Sequence, residues 1–352
     1  MAEKMKAVRK IRREPGLDLV EIDLPQIKPD EVLVKVEATA ICGSDMHFYN
    51  WDTYAQGRIK PPLTIGHEFA GEIVEVGKYV SDYKIGDYVA ADSHIACGVC
   101  PVCKLGLQHI CQNLKIFGNE VDGSFAQFVA VPQGSLWHLS RDVDPEIGAV
   151  LEPLGGAVQA TLIEPVTAQS VVIYGDGPIA LFAVGVAHVA GASSISLVGM
   201  VPSRLEVAKK MGANKVYNIT EEPDVVAGVL EETGGLGADV VIELSGSHAA
   251  LKNAFASVRK GGRVTLFGLS AKPVQEFDFN YNIILRQVRV HGVAGRHMWD
   301  TWYVLDGLMK TGRLDPRPVI TDVLPLEKFD EGFQKLTTGS RDALKVILKP
   351  WE

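Results

Sequence analysis

Aromatic side chains are scarce, at 7% of 352 residues, and cysteine occurs only five times. No long basic run interrupts the chain, and 43 acidic residues outnumber 35 basic ones for a net charge of −8. Nucleic acid is bound through clustered lysine and arginine, so a nucleic-acid partner is not expected. Long apolar runs are missing too. The longest, Pro178 to Ala192, contains His188 and falls short of the ~20 residues that a membrane helix needs. The basic opening, MAEKMKAVRKIRREPG, lacks the apolar centre of a secretion signal. A soluble, cytoplasmic protein without membrane contact is therefore expected. Neither an internal repeat nor a low-complexity segment is present. The remaining balance, 47% hydrophobic and 22% charged, excludes a disordered or fibrous chain. At ~150 residues per domain the length leads one to expect two.

The odd cysteine count argues against a disulfide framework. Four of the five fall within fifteen residues as Cys97-x2-Cys100-x2-Cys103-x7-Cys111. Thiolates at this spacing can wrap one ion and close a tetrahedron, the S4 geometry of structural zinc. An iron–sulfur cluster is the rival, and scattered core cysteines would not group this way. A second constellation is Cys42-Gly43-x-Asp45 with Gly66-His67-Glu68, joined by Glu152 of the segment LEPLG. One thiolate, one imidazole and one carboxylate suit a zinc site with an open position, as catalysis requires. Spacing alone also allows a core thiol, a core histidine and a helix N-terminal acid.

The first third reads as strands and loops: EVLVKVEATA, FAGEIVEVG and GDYVAAD are β-branched segments punctuated by glycine. From about Gln169 the texture changes. Short apolar strands (SVVIYG, SISLVG, KVYNI, DVVIELSG, RVTLFG, VRVHGVAG) alternate with helices over Pro178–Ala190, SRLEVAKKMGA, Val225–Thr233 and His248–Val258. This alternation predicts a doubly wound parallel sheet, a Rossmann unit inserted between two parts of a β-rich domain that ends in the strand KVILK. Gly175-Asp176-Gly177-Pro178-Ile179-Ala180 lies between its first strand and first helix. It is a G-x-G-x-x-A dinucleotide turn, with Gly175 for the tight turn, Gly177 for close approach of a pyrophosphate and Ala180 for close packing. Asp176 would repel that pyrophosphate unless it points away.

GHEFAGEIVEVG, CGVCPVCKLGLQHIC, the Glu152-Pro153 pair and the glycine turn resemble the zinc-dependent medium-chain alcohol dehydrogenases over essentially the whole chain. The resemblance implies an α/β protein with a GroES-like catalytic domain at 1–163, a Rossmann domain at 164–297 and a return to the catalytic domain at 298–352. It implies two Zn²⁺ ions, the structural one on Cys97, Cys100, Cys103 and Cys111. The catalytic ion would sit on Cys42, His67 and Glu152, with Glu68 as an exchanging carboxylate. Ser44 would take the substrate proton and His47 would relay it. NAD or NADP would contact Gly175, Gly177, Pro178, Ile179, Gly199, Arg204, Leu266, Phe267, Gly268, Val293 and Ala294. The phrases ICGSDMHFYNWD, AQGRIKPP, HICQN and GRHMWDTWY resemble members that oxidise the 3-hydroxyl of L-threonine to 2-amino-3-oxobutanoate. A polyol, a sugar or another secondary alcohol is the alternative substrate. The implied assembly is a homotetramer.

Three departures from the family pattern stand out. Gly199 occupies the place of a ribose-binding acid, and no Asp or Glu occurs between Asp176 and Glu206, which leaves NAD and NADP both open beside Arg204. Gly156 stands where asparagine is common, and Asp300 where glutamate is. Arg296 is expected to take or orient a substrate carboxylate through its guanidinium.

Overall fold

The computed structural model describes residues 3–270, 272–337 and 341–352. The chain divides into two compact units, Met1–Glu152 with Ile320–Glu352, and Pro153–Val319.

In the first unit the β-branched strand Glu31–Ala40 is the hub, buried along most of its length because it has neighbours on both edges. It runs antiparallel to Glu68–Val76 and Phe128–Pro132 and, at its end, to Lys345–Lys349. The sheet continues through Tyr88–Ala91 to Leu136–His138 on one side, and to Ile320–Pro325 on the other. Val32, Val34, Val36, Phe69, Ile73 and Val89 pack against it as a core. Register decides the chemistry here. Ala40 lies opposite both Glu68 and Ile347, so the start of the Glu68 strand and the final strand flank one end of the hub.

Among the described residues the second unit holds six strands: β1 (Ser170–Tyr174), β2 (Ser194–Gly199), β3 (Lys215–Asn218), β4 (Ala238–Glu243), β5 (Val258–Leu266) and β6 (Arg289–Gly292). Their order is β3-β2-β1-β4-β5-β6, every pair parallel. The central strands β1, β2 and β4, covered on both faces, are buried along nearly all their length and read as short apolar runs, whereas the outer β6 (RVHG) is mostly exposed. Helix Pro178–Val189 buries every residue from Ala180 to Ala187, and Gly212 (φ +109°) ends the turn after helix Pro202–Lys210. The helix expected over His248–Val258 stops at Ser257. Val258 already pairs with Ala238, and a register shift then carries β5 into its main ladder.

The units part at Glu152/Pro153 and Val319/Ile320, where the sequence reading put divisions at 163/164 and 297/298. Packing within the second unit gives the reason. Arg263 donates to the carbonyls of Thr161 and Glu164, tying the end of helix Pro145–Leu162 to β5. Leu314 lies against Gly185 of helix Pro178–Val189. Among the described residues no helix is long and apolar enough to cross a membrane.

Candidate metal centres and nucleotide turn

The four cysteines of the lobe present their sulfurs within 4.8 Å of one another. Individual Sγ–Sγ separations are 3.4 Å (Cys111–Cys97), 3.5 Å (Cys100–Cys103) and 3.9 Å (Cys100–Cys111). Four sulfurs at about 2.3 Å from a central zinc stand about 3.8 Å apart, so the spacing fits one tetrahedral ion and none of the pairs is a disulfide. Pro101 starts the short helix Pro101–Lys104, whose first turn lets Cys103 N–H donate to Cys100 Sγ. Cys97 N–H and Asn113 N–H both donate to Cys111 Sγ. Backbone N–H groups of Val99 and Cys100 hold the Cys97 thiol down at about 6. Donors aimed at sulfur favour thiolates, the form that binds metal.

Cys42, His67 and Glu68 form a second group, again with ligand atoms within 4.8 Å. Cys42 caps helix Gly43–Asn50: its carbonyl accepts from Asp45 N–H at 3.1 Å, and Asp45 Oδ2 accepts from Cys42 N–H at 2.9 Å. Asp45, grouped with the metal candidates on sequence, is thus the other half of a capping box. It is fully buried, with Oδ1 at 3.7 Å from His67 Nδ1. His67 is aimed by Gly66 (φ +94°), where a Cβ would meet the Phe125 ring at 2.2 Å. Glu68 opens its strand, its carbonyl accepting from Thr39 Oγ1 at 2.8 Å. Lys345 Nζ, buried at the start of the last strand, donates to both Glu68 carboxylate oxygens at 2.5 Å.

Glu152 lies in the middle of helix Pro145–Leu162, not at its N-terminus. It is buried and bears electrostatically on Asp45, His67, Glu68 and Lys345, though the tight ligand set contains Glu68 instead. Burial pushes the His67 imidazole down, but the Cys42 sulfur, Asp45 and Glu152 outweigh it and hold the ring up at about 10. His67 Nδ1 and Asp45 Oδ1 have no hydrogen-bond partner. An anionic pocket with unsatisfied donor atoms at its centre fits a bound cation, and sulfur, nitrogen and oxygen together suit zinc.

Ser44 and His47 follow Cys42 on the same helix, one turn apart, and both reach toward solvent, Ser44 half-buried and His47 exposed. His47 Nδ1 lies 2.5 Å from Asp52 Oδ2, and the other Asp52 oxygen caps helix Thr53–Arg58 by accepting from Tyr54 and Ala55 N–H. Partial burial works to raise Asp52, yet the His47 contact and the two N–H groups hold it below the ordinary carboxylate range. Asp52 and Lys345 were not among the residues expected from sequence. Asp52 carried a signal, standing five residues from His47 at a helix start, whereas Lys345 carried only its oddity as a charge opening an apolar strand.

In the second unit the expected nucleotide residues all lie at the carboxyl ends of strands, the side on which doubly wound sheets bind ligands. Gly175 (φ +120°) ends β1 and tucks against Ser245, while a Cβ at Gly177 would meet nothing within 4 Å. Gly177 is therefore open to a ligand's close approach, and Pro178 starts the helix behind it. Gly199 closes β2 and Arg204 lies in the first turn of the helix after it; Leu266 closes β5, with Phe267 and Gly268 next; Val293 and Ala294 follow β6. Phe267 and Gly268 N–H both donate to the Glu243 carbonyl, and Val293 N–H to that of Leu266. Gly156 faces the Phe267 ring, which stands 3.4 Å from where its Cβ would be, so a larger residue there would press on Phe267. Asp300 is exposed at a helix start, and Arg296 is 3% exposed with its Cδ beside Gly155.

Residues 28–141 match the alcohol dehydrogenase GroES-like domain, and residues 178–311 match the zinc-binding dehydrogenase domain. The chain belongs to the zinc-binding, medium-chain alcohol dehydrogenases. Among its relatives, the L-threonine 3-dehydrogenase of Thermococcus kodakarensis is 44% identical, with 99% of each chain covered. That of Symbiobacterium thermophilum is 43% identical over the same shares. The solved alcohol dehydrogenase TADH of Thermus sp. ATN1 superposes with a TM-score of 0.89 at 31% identity, covering 98% of this chain and 99% of its own.

Proposed function

We propose that this enzyme oxidises the 3-hydroxyl of L-threonine to 2-amino-3-oxobutanoate, with NAD or NADP as the hydride acceptor. The observation that carries this reading is the 43–44% identity, along 99% of the chain, to proteins named for that reaction. The buried thiol–imidazole–carboxylate group and the glycine turn support it independently.

Cys42 and His67 with a carboxylate of Glu68 or Glu152 would hold a zinc ion, which would supply Lewis-acid stabilisation of charge on the substrate hydroxyl, and a bound nicotinamide would supply the acceptor for the C3 hydride. Ser44 accepts the hydroxyl proton. His47 passes it to solvent, to which its side chain is 49% exposed. An ionised Asp52 can only accept, so His47 donates from Nδ1 and keeps Nε2 for the relay. Asp45 steadies His67 from behind, and Lys345 opposes the burial that raises the Glu68 carboxyl. The Cys97, Cys100, Cys103 and Cys111 lobe would hold a second zinc as a folding element. Arg296 takes or orients the substrate carboxylate.

The exposed strand β6 borders only β5 among the described residues, leaving an edge that a second copy can pair with on the way to a homotetramer. Five free cysteines suit a reducing cytoplasm.

The test is a cofactor-reduction assay on zinc-loaded protein with threonine, polyols and 2,3-butanediol, run separately with NAD and NADP. Threonine should give the highest kcat/KM. A polyol exceeding it overturns the substrate, and no reduction with any alcohol overturns the reaction. Arg296→Met should lose roughly 2–5 kcal/mol of kcat/KM on threonine and little on 2,3-butanediol. Equal losses on both would reduce Arg296 to a support.

A further inference from the structure

Asp176 does not face the phosphate side of its turn. Its side chain reaches across to the carboxyl end of β2, where Oδ2 accepts from Met200 N–H at 2.7 Å and from Val201 N–H at 2.9 Å. The pairing of β1 with β2 makes this reach possible, since Gly175 N–H donates to the Val198 carbonyl beside it. Gly199 is what leaves room. A Cβ at 199 would lie 2.7 Å from Asp176 Cβ and 2.8 Å from Asp176 Oδ2, so the carboxylate stands where a side chain at 199 would start. Oδ1 faces the Arg204 guanidinium, with Nη1 at 3.9 Å, and both side chains are 16% exposed. The position that lost an acid and the position that gained one are thus the same place in space.

In doubly wound sheets an acid at the end of the second strand receives the adenosine ribose 2′-hydroxyl, and an arginine there takes a 2′-phosphate. We propose that Asp176 fills the first role in this chain, selecting NAD over NADP, a claim that rests on the second unit binding a nicotinamide dinucleotide. A carboxylate offers about four acceptor sites, so two N–H donors pin it without exhausting it. Its charge opposes a 2′-phosphate directly and also engages the guanidinium that would otherwise welcome one.

Calorimetric Kd values for NADH and NADPH on the zinc-loaded full chain test this. The wild type should favour NADH by about 10- to 100-fold, the worth of a hydrogen bond to a charged group. Asp176→Ala should erase most of that preference. Asp176→Asn, which keeps the shape and the pinned oxygen, should erase it as well. Asp176→Ala combined with Gly199→Glu should restore it, because removing the side chain at 176 opens the space at 199. Gly199→Glu alone should weaken both nucleotides by crowding two carboxylates. A mere turn cap would not move the NADH-to-NADPH ratio, so an unchanged ratio in both Asp176 variants overturns the proposal, as does a wild type that favours NADPH. A wild type that binds neither nucleotide overturns the dehydrogenase reading beneath it.

Discussion

The four-cysteine lobe and the Cys42 group both gather buried donor atoms in the first unit, but they do so from opposite resources. The lobe takes four identical ligands from fifteen consecutive residues and surrounds them with backbone N–H groups. The Cys42 group takes different ligands from a helix start, a glycine turn and a strand start. Around it stand Asp45, Glu152 and Lys345, charges beyond what an ion's coordination requires. A uniform, closed set gives rigidity. A mixed set with surplus carboxylates, followed on the same helix by the exposed His47, suits an environment in which charge can change during a reaction.

The largest expected effect tests that surplus. Lys345→Met leaves Glu68 buried without its counter-charge and should cost about 3–5 kcal/mol of stability in denaturant unfolding. Lys345→Met with Glu68→Gln should recover much of the loss. A single variant as stable as the wild type would mean that the pair does not organise the Cys42 group. Next comes the relay proposed for Ser44 and His47. His47→Asn should lower kcat by roughly 10²-fold with cofactor Kd little changed, and an unaltered kcat between about pH 6 and 9 removes His47 from the mechanism. The smallest effect is that of Asp52→Asn, roughly tenfold in kcat. Asp52 is held below the ordinary carboxylate range, so it stays ionised throughout that pH window. Its removal should therefore lower the whole profile; a loss confined to the acid limb would contradict its orienting role.

The same contrast explains what could be read from the chain. The lobe was legible because its ligands are neighbours in sequence. Cys42, His67 and Glu68 were legible as chemical types, but their grouping depends on the register that sets Ala40 opposite Glu68. Lys345 reaches Glu68 across 277 residues of sequence, and no local pattern announces such a pair. One Asp52 oxygen caps helix Thr53–Arg58, and only the folded helix start brings its second oxygen to His47. The oddity of Asp176 was visible, while its direction needed β1 and β2 side by side. The central parallel strands were plain from their apolar runs, whereas at the start of β5 Val258 pairs with Ala238 and Arg259, Lys260 and two glycines fall in the register shift before Arg263 pairs with Val240.

The central claim is that one chain carries two zinc sites with separate duties. Metal content, melting temperature and threonine-dependent turnover measured together on the wild type, Cys103→Ser and His67→Ala test it most directly. Two ions per wild-type chain are expected, and about one in each variant. Cys103→Ser should lose melting temperature, because a structural site contributes its binding energy to folding. His67→Ala should melt close to the wild type and lose turnover. A zinc-loaded wild type holding one ion or none, or a His67→Ala protein that still oxidises threonine at the wild-type rate, would contradict the account.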